Sequence, residues 1–539
     1  MLKSFIQGST EFSSYDDFSR NFKLSIPENF NFVSDVVDVY AKECPSKRAL
    51  VWCDDEHNEK EFTFEQLSQQ SNLVAKGLVE QGIKKGDVVM LVLHRRYEYW
   101  IFVLALNRIG AIALPVPFQM LKNDFEYRIS ASKTVMIVAA STSYIEHIED
   151  AVSKISAGKK ISLVSVNFTR QGWTSYDDLK KLGESISDAS ALLCNCGGKD
   201  KMIMYFTSGT TGEPKLVEHD CLYPLSHIIT AKYWQCVEPD GLHYSVAETG
   251  WAKTSWGKIY GQWIAGSAVF IYDRQGFNPN SMLEKIQKYK VTTFCAPPTI
   301  YSYLIQSDFE KYELSSLKHC CSAGDALNPG VMQAFYEKTG LEIYEGYGQT
   351  ETSLLAANFC FSKPVPGSIG KFSPCYNLKI INEQGSVCKP GETGEIVIEY
   401  SDPSNSNTEN AASLHHTEDL AYMTEDGIVY FTGRKDNIIK SAGFRISPLE
   451  VEKILMQHPS VAECAVMGEE DEKRGKIVKA LVVTAAGYTP SKALESELME
   501  FMRNHTALYK CPRKIAFVKK LPKTYNGKIK RYTDKEESV

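Results

Sequence analysis

Tyr205-Phe-Thr-Ser-Gly-Thr-Thr-Gly-Glu-Pro-Lys215 is the stretch around which the chain is organised. It follows Met202-Ile-Met-Tyr-Phe206, which reads as a short buried strand. Gly209 and Gly212 free the backbone to turn so that successive N–H groups can face an anion. Thr207, Ser208, Thr210 and Thr211 offer hydroxyl donors, and Lys215, set off from Gly212 by Glu213 and Pro214, adds a compact positive charge. This is phosphate-cradle chemistry without the Gly-x-x-x-x-Gly-Lys-Ser/Thr spacing, and no Gly-x-Gly-x-x-Gly fingerprint occurs in the chain. Taken alone, a surface turn rich in Gly, Ser and Thr would read the same way.

The chain has 539 residues, enough for three or four domains by length alone. Apolar residues make up 43% and charged residues 23%, the balance of an ordinary globular protein. A net charge of −6 without long runs of one sign argues against nucleic acid as a partner. Fourteen cysteines are scattered; Cys194-Asn-Cys196 and Cys320-Cys321 lack zinc-ligand spacing, so reduced thiols in the cytoplasm are expected. The first residues are too polar for a secretory signal and too acidic for a mitochondrial transit peptide, and no run approaches the ~20 apolar residues of a membrane span.

Outward from the phosphate stretch, helices alternate with continuous apolar strands. Helices are expected over Phe64–Gly82, Glu98–Arg108 and Asn280–Lys290 and from Thr299; strands over Asp87–Leu93, Ala111–Pro117, Thr134–Ala139, Ala268–Tyr272 and Val291–Ala296. That alternation means a parallel sheet covered on both faces, with ligand loops at the carboxyl ends of its strands. Near residue 376 the texture changes. Short strands Asn377–Asn382, Gly394–Glu399 and Ile428–Phe431 suggest a small β subdomain, and 401–413 reads as a polar loop. Beyond Asp436 the pattern becomes α+β: a helix over Pro448–Gln457, strands Ala462–Met467 and Ile477–Thr484, a helix through 491–507 and a strand Ile515–Lys519. The fold class is therefore α/β: a large N-terminal domain of layered α/β sheets with a small β subdomain (1–433), then an α+β C-terminal domain (434–539).

Four further stretches carry chemistry. In Tyr344-Glu-Gly-Tyr-Gly-Gln-Thr-Glu351, Tyr347 could stack on a planar base and Glu351 could bind Mg²⁺; a glycine-rich turn with a surface acid is the plain alternative. In His416-Thr-Glu-Asp419, an acid after a strand could accept ribose hydroxyls, or be a solvated loop carboxylate. Gly433-Arg-Lys-Asp436 to Gly443-Phe-Arg445 sets two arginines and a glycine turn at a domain junction. Leu521-Pro-Lys-Thr-Tyr-Asn-Gly527-Lys528 projects Lys528 from a tight Asn-Gly turn, or leaves it one more lysine of a basic tail.

In this order, the five stretches resemble the core motifs of the adenylate-forming superfamily of acyl-CoA synthetases, luciferases and nonribosomal adenylation domains, from about residue 30 to 531. Thr207–His219, Thr249–Trp263, Ala296-Pro-Pro-Thr-Ile-Tyr301 and Gly443–Glu452 look like its medium-chain acyl-CoA synthetase group. The resemblance implies an acyl-CoA synthetase working in two steps. A short- to medium-chain carboxylic acid and ATP give an acyl-adenylate and pyrophosphate; the C-terminal domain then rotates and the thiol of coenzyme A displaces AMP. Residue by residue, it implies that Lys528, Glu351 (binding Mg²⁺), Thr350 and Lys215 are catalytic. Thr207, Ser208, Gly209, Thr210, Thr211, Gly212, Glu213, Pro214 and Lys215 would hold phosphates. Gly324, Asp325, Ala326, Glu345, Gly346, Tyr347, Gly348, Gln349 and Thr350 would surround AMP, with Asp419 and Arg434 at the ribose. Trp251, Thr350 and Arg445 would meet the acyl group. Ala442, Gly443 and Phe444 would line the pantetheine tunnel, Arg474, Cys511, Pro512 and Arg513 would meet coenzyme A, and Asp436 matches the hinge.

The chain departs from the family pattern where His415-His-Thr-Glu-Asp419 replaces Tyr-x-Thr-Gly-Asp, where Asp325 and Glu248 exchange acid types, and where Glu399 to Thr417 is short. Two alternatives stay open at this point: an acyl-AMP ligase that loads an acyl-carrier protein, and a diverged non-catalytic nucleotide-binding protein. No nucleic-acid partner and no transmembrane segment are expected; a homo-oligomer is allowed for.

Overall fold

The computed structural model describes residues 1–155, 161–186, 196–207, 214–400, 413–441, 444–471 and 475–523, with only the backbone of 413, 445 and 475. Two compact units emerge. The first comprises Met1–Ala323, Lys338–Lys363 and Ser373–Cys375; the second comprises Gly324–Glu337, Pro364–Phe372 and Tyr376–Val539. The 433/434 boundary read from the sequence thus falls inside the second unit.

Two sheets dominate the first unit. One runs, in spatial order, Thr174–Ser175, Ser162–Ser165, Met136–Ala139, Val88–Val92, Ile112–Pro115, Lys201–Thr207 and Lys215–Asp220. All its pairings are parallel except the last, a hairpin. The other runs Glu59–Thr63, Arg48–Asp54, Ala268–Asp273, Leu242–Ser245, Thr293–Cys295, His319–Ala323, Ile343–Gly348 and Leu354–Ala357. Among these strands the pairing is parallel except for the first and last pairs.

The helix Phe64–Glu80 forms where expected, opened by a capping box in which Thr63 and Gln66 satisfy each other's backbone N–H groups. The helix Glu98–Ile109 is buried at every position, which its near-continuous apolar sequence requires. Gly110, at φ 70°, ends it in the left-handed region where only a glycine sits without strain. Trp100 within the helix, and Trp52 and Trp263 in the same core, are fully buried, and each indole N–H finds a backbone carbonyl: Trp52 at Arg95, Trp100 at Lys258 and Trp263 at Ala49.

In the second unit an antiparallel sheet of Leu378–Ile381, Gly394–Tyr400, Ser413–Met423 and Val429–Arg434 is the expected β subdomain. A mixed sheet follows: Phe444–Ile446, Ile439–Ser441, Gly475–Thr484 and Val461–Asp471, with Lys514–Phe517 parallel to Gly475–Thr484. Helices Pro448–Leu455 and Lys492–His505 supply its core residues Val451, Leu455, Leu494, Leu498 and Met502. Ser447 caps the first of these helices, and its hydroxyl also donates to the Thr432 carbonyl, tying the helix to the β subdomain.

Candidate active site

The phosphate stretch is flanked by two antiparallel strands, Lys201–Thr207 and Lys215–Asp220. Thr207 pairs with Lys215, Tyr205 with Val217 and Ile203 with His219, so Thr207 and Lys215 stand side by side at one end of the paired strands. Ser208, Gly209, Thr210, Thr211, Gly212 and Glu213 themselves lie outside the described residues. Tyr205 and Phe206 are buried, Lys215 is exposed, and the Pro214 carbonyl accepts the Tyr127 hydroxyl at 2.9 Å. The antiparallel partner Lys215–Asp220 was not anticipated. Its Lys, Glu, His and Asp residues hide the alternation that marks a strand.

The second AMP stretch is the strand Ile343–Gly348 with the turn that follows. Glu345 is buried, and its carbonyl accepts the Asn358 N–H at 2.9 Å. Gly346 and Gly348 are glycines because tryptophans occupy the space of a side chain. A Cβ on Gly346 would lie 2.5 Å from the Trp234 ring, and one on Gly348 2.4 Å from both Trp256 and the Ser353 carbonyl oxygen. Trp234 also donates its indole N–H to the Tyr344 carbonyl at 3.1 Å. In the turn, Gln349 N–H donates to Thr352 Oγ1 at 3.1 Å and Thr352 N–H to the Gln349 carbonyl at 3.3 Å. Tyr347 and Thr350 are half-buried, and Glu351 presents an exposed carboxylate.

His219 joins these two stretches. Its Nε2 lies 2.8 Å from the Thr350 carbonyl oxygen, and its ring stacks on Tyr223 at 3.8 Å and 14°. Burial pushes its pKa down to about 4 against the support of the Thr350 carbonyl, so the ring is neutral near pH 7. A carbonyl only accepts, so the nitrogen facing it carries the proton.

Trp251 follows a turn in which its own N–H reaches the Glu248 carbonyl at 3.2 Å. Its indole nitrogen is buried with no hydrogen-bond partner among the described residues. The turn is clamped: Arg95 pairs with the Glu248 carboxylate and the Arg274 carbonyl, Thr249 donates to the His94 carbonyl, and Thr254 donates to the Glu248 carbonyl at 2.6 Å. The Glu248 substitution is thereby accommodated by a buried arginine.

In the second unit, Asp419 was expected after a strand; it lies inside one, Ser413–Met423, opposite Arg434. It is buried, and Arg434 Nη1 sits 3.5 Å from its carboxylate and 3.3 Å from the Thr417 carbonyl. Glu418 adopts φ 58°, the left-handed conformation a glycine would take without cost. Its N–H is held at 3.1 Å by the buried carboxylate of Glu395, which also accepts from Lys435 at 3.0 Å and pairs with His416 at 3.2 Å. Burial works to raise the Glu395 pKa, but these three donors outweigh it and hold the carboxyl below its usual value. Asp436 sits in the 3-10 turn Lys435–Asn437, its carboxylate 3.4 Å from Arg434 Nε. Gly324 has φ 106°, and Asp325 caps the Ala326 N–H at 3.0 Å.

Phe444 is half exposed and stacks on Tyr509 at 4.4 Å and 15°. Tyr509 is followed by Cys511, buried Pro512 and exposed Arg513, whose backbone N–H bonds the Val478 carbonyl at 2.8 Å. Tyr509 was missed, since no spacing rule points to it. Ala442, Gly443, Arg474 and Lys528 lie outside the described residues, as does the side chain of Arg445.

The family described as AMP-binding enzyme matches residues 37–402, and the AMP-binding enzyme C-terminal domain matches 450–528. The mitochondrial acyl-coenzyme A synthetase ACSM3 of Homo sapiens is 37% identical, over 96% of this chain and 92% of its own. The mitochondrial acyl-coenzyme A synthetase ACSM4 of Rattus norvegicus is 36% identical, over 94% and 90%. Among solved structures, the anthranilate CoA ligase AuaEII in complex with anthranoyl-AMP superposes with a TM-score of 0.82 at 26% identity, covering 94% of this chain and 96% of that one. A benzoate CoA ligase from Burkholderia xenovorans shares the fold, with a TM-score of 0.80 at 22% identity over 93% and 99%.

Proposed function

Because the chain belongs to the AMP-binding enzyme family, we propose that it joins a short- to medium-chain carboxylic acid to coenzyme A at the expense of ATP. In the first step a carboxylate oxygen attacks the α-phosphorus, the bond to pyrophosphate breaks, and an acyl-adenylate forms. In the second the thiol sulfur attacks the acyl carbon, AMP leaves, and the thiol proton passes to solvent.

The observation that carries this reading is the union, through His219 and Thr350, of the phosphate hairpin with the turn bearing Glu351. Two anions must be brought together, so the first step needs donors and cations more than a base. Thr207, the Ser208–Pro214 turn, Lys215 and Lys528 supply them. Tyr347, Gly324, Asp325 and Ala326 hold adenine; Asp419 and Arg434 hold ribose. Glu351, an exposed hard-oxygen ligand, fits Mg²⁺, which takes one or two carboxylates beside phosphates and water and neutralises phosphate charge when bound. Trp251, Thr350 and Arg445 meet the acyl group, and the buried indole N–H of Trp251 favours a substrate with an acceptor near its carboxyl end.

Phe444 with Ala442 and Gly443, and the Cys511–Arg513 segment with Arg474, serve coenzyme A. Exposed Arg513 suits its phosphate and favours coenzyme A over a carrier protein. Asp436 is the hinge by which the 434–539 segment presents Lys528 for one step and Gly443 for the other. The free cysteines of the described residues fit a reducing compartment, which we take to be the cytoplasm.

The test separates the half-reactions. Lys528→Ala lowers acid-dependent pyrophosphate release by at least about 100-fold, the scale of one lost charge-stabilising group. It leaves thioester formation from a supplied acyl-adenylate intact. Equal loss of both contradicts the division of labour.

A further inference from the structure

We propose that His219 is a positioning residue for the adenylation step: its imidazole N–H holds the Thr350 carbonyl, and with it the Thr350–Glu351 pair, against the phosphate hairpin. The inference rests on the adenylation reading above and adds a residue to it. The turn Gln349–Thr352 is closed internally by Thr352, but those bonds fix only its shape. The bond from His219 Nε2 to the Thr350 oxygen, 2.8 Å, fixes where the turn sits relative to the strand Lys215–Asp220.

Register makes this specific. His219 is opposite Ile203 in the hairpin, and a slip of one residue would send its ring to the other face of the sheet. Tyr223 stacks flat on one face of the ring and Tyr205 approaches at 6.2 Å and 65°, so the imidazole has one orientation. Buried at 8% exposure, the ring is placed to orient backbone rather than to exchange protons with solvent. Thr207 and Lys215 at the mouth of the hairpin and Glu351 in the turn thus share one rigid connection.

Two variants separate positioning from packing. His219→Phe keeps an aromatic ring against Tyr223 and removes the donor; His219→Gln keeps a donor that reaches the same carbonyl. Binding of Mn²⁺·ATP is measured by titration calorimetry, and ATP–pyrophosphate exchange with carboxylates from acetate to dodecanoate. Thioester formation from synthetic butanoyl-adenylate and coenzyme A is the third assay. His219→Phe is expected to weaken Mn²⁺·ATP binding and slow exchange by about 10- to 100-fold, the cost of losing an outer-shell partner. The thioester step is unaffected, and His219→Gln restores most of the loss.

Unchanged Mn²⁺·ATP binding by His219→Phe overturns the inference, as does equal loss of all three activities with a lowered Tm, or failure of His219→Gln to rescue. If His219→Phe does not fold, the ¹⁵N-histidine spectrum of the wild type decides: the His219 Nε2–H resonance must shift on adding Mg²⁺·ATP, and an unmoved resonance overturns the proposal. Wild-type protein that fails to bind Mn²⁺·ATP would instead defeat the functional reading itself.

Discussion

Glu418 stands at φ 58° beside the buried Asp419, where a side chain pays for a backbone conformation that glycine adopts freely. A non-glycine residue held there costs on the order of 1–3 kcal/mol. The network of Glu395 with Lys435, His416 and the Glu418 N–H offsets that cost. Glu418→Gly is therefore expected to raise stability by about 1 kcal/mol after the greater chain entropy of glycine is deducted, as read from urea unfolding. It is also expected to lower the KM for ATP by removing a negative charge near the proposed ribose site; a loss of stability would show that the side chain is engaged. Gly348 makes the opposite case. Any Cβ there meets Trp256 and the Ser353 carbonyl at 2.4 Å, so Gly348→Ala must displace the strand carrying Tyr347. At least about a tenfold fall in pyrophosphate release is expected, since small misplacements of reacting groups cost up to 100-fold.

Single segments show how one buried charge can organise a turn. Arg95 reaches the Glu248 carboxylate and the Arg274 carbonyl, so it fixes the turn that ends at Trp251. Arg95→Met would leave the partly buried Glu248 without its counter-ion, at a cost of about 2–3 kcal/mol, and Arg95→Met with Glu248→Gln would recover much of it. Urea unfolding of the single and double variants checks both; equal stability of the two would place the pair outside the fold's energetics. This clamp was not legible in the sequence, because a lone arginine 153 residues before its partner carries no spacing signal. The apolar strands Val88–Val92 and Ala268–Asp273 and the capped helix Phe64–Glu80 were legible, since burial on both faces or one stripe dictates their composition. Lys215–Asp220 and Ser413–Met423 were not: in Ser-Leu-His-His-Thr-Glu-Asp, polar side chains serve Glu395 and Arg434 rather than solvent, and the alternation disappears. Asp419 was recognised, but its place within a strand and the role of Tyr509 needed the structure.

At the scale of the whole molecule, acid should unfold the first unit earlier than carboxylate chemistry alone would. His94, His219, His243 and His319 are driven by burial from an ordinary 6.5 to about 3, 4, 3 and 4, and His227 well below its usual value. The unfolded chain therefore binds more protons than the folded one between pH 6.5 and about 4, so this stability is complete above pH 6.5 and is lost as pH falls. Each such histidine contributes a slope of about 1.4 kcal/mol per pH unit within that window. Asp220 and Asp273, raised by burial, act in the opposite sense at two positions against five. The urea midpoint should drop steeply from pH 6.5 to 5, and a flat midpoint would contradict the burial of these rings. The chemistry itself is tested most directly by pyrophosphate release from ATP across acetate to dodecanoate, benzoate and branched acids, each with and without coenzyme A. Release that needs a particular acid and turns over fully only with coenzyme A is the predicted result. Acid-dependent release indifferent to coenzyme A, or no release with any acid, would contradict an acyl-CoA synthetase.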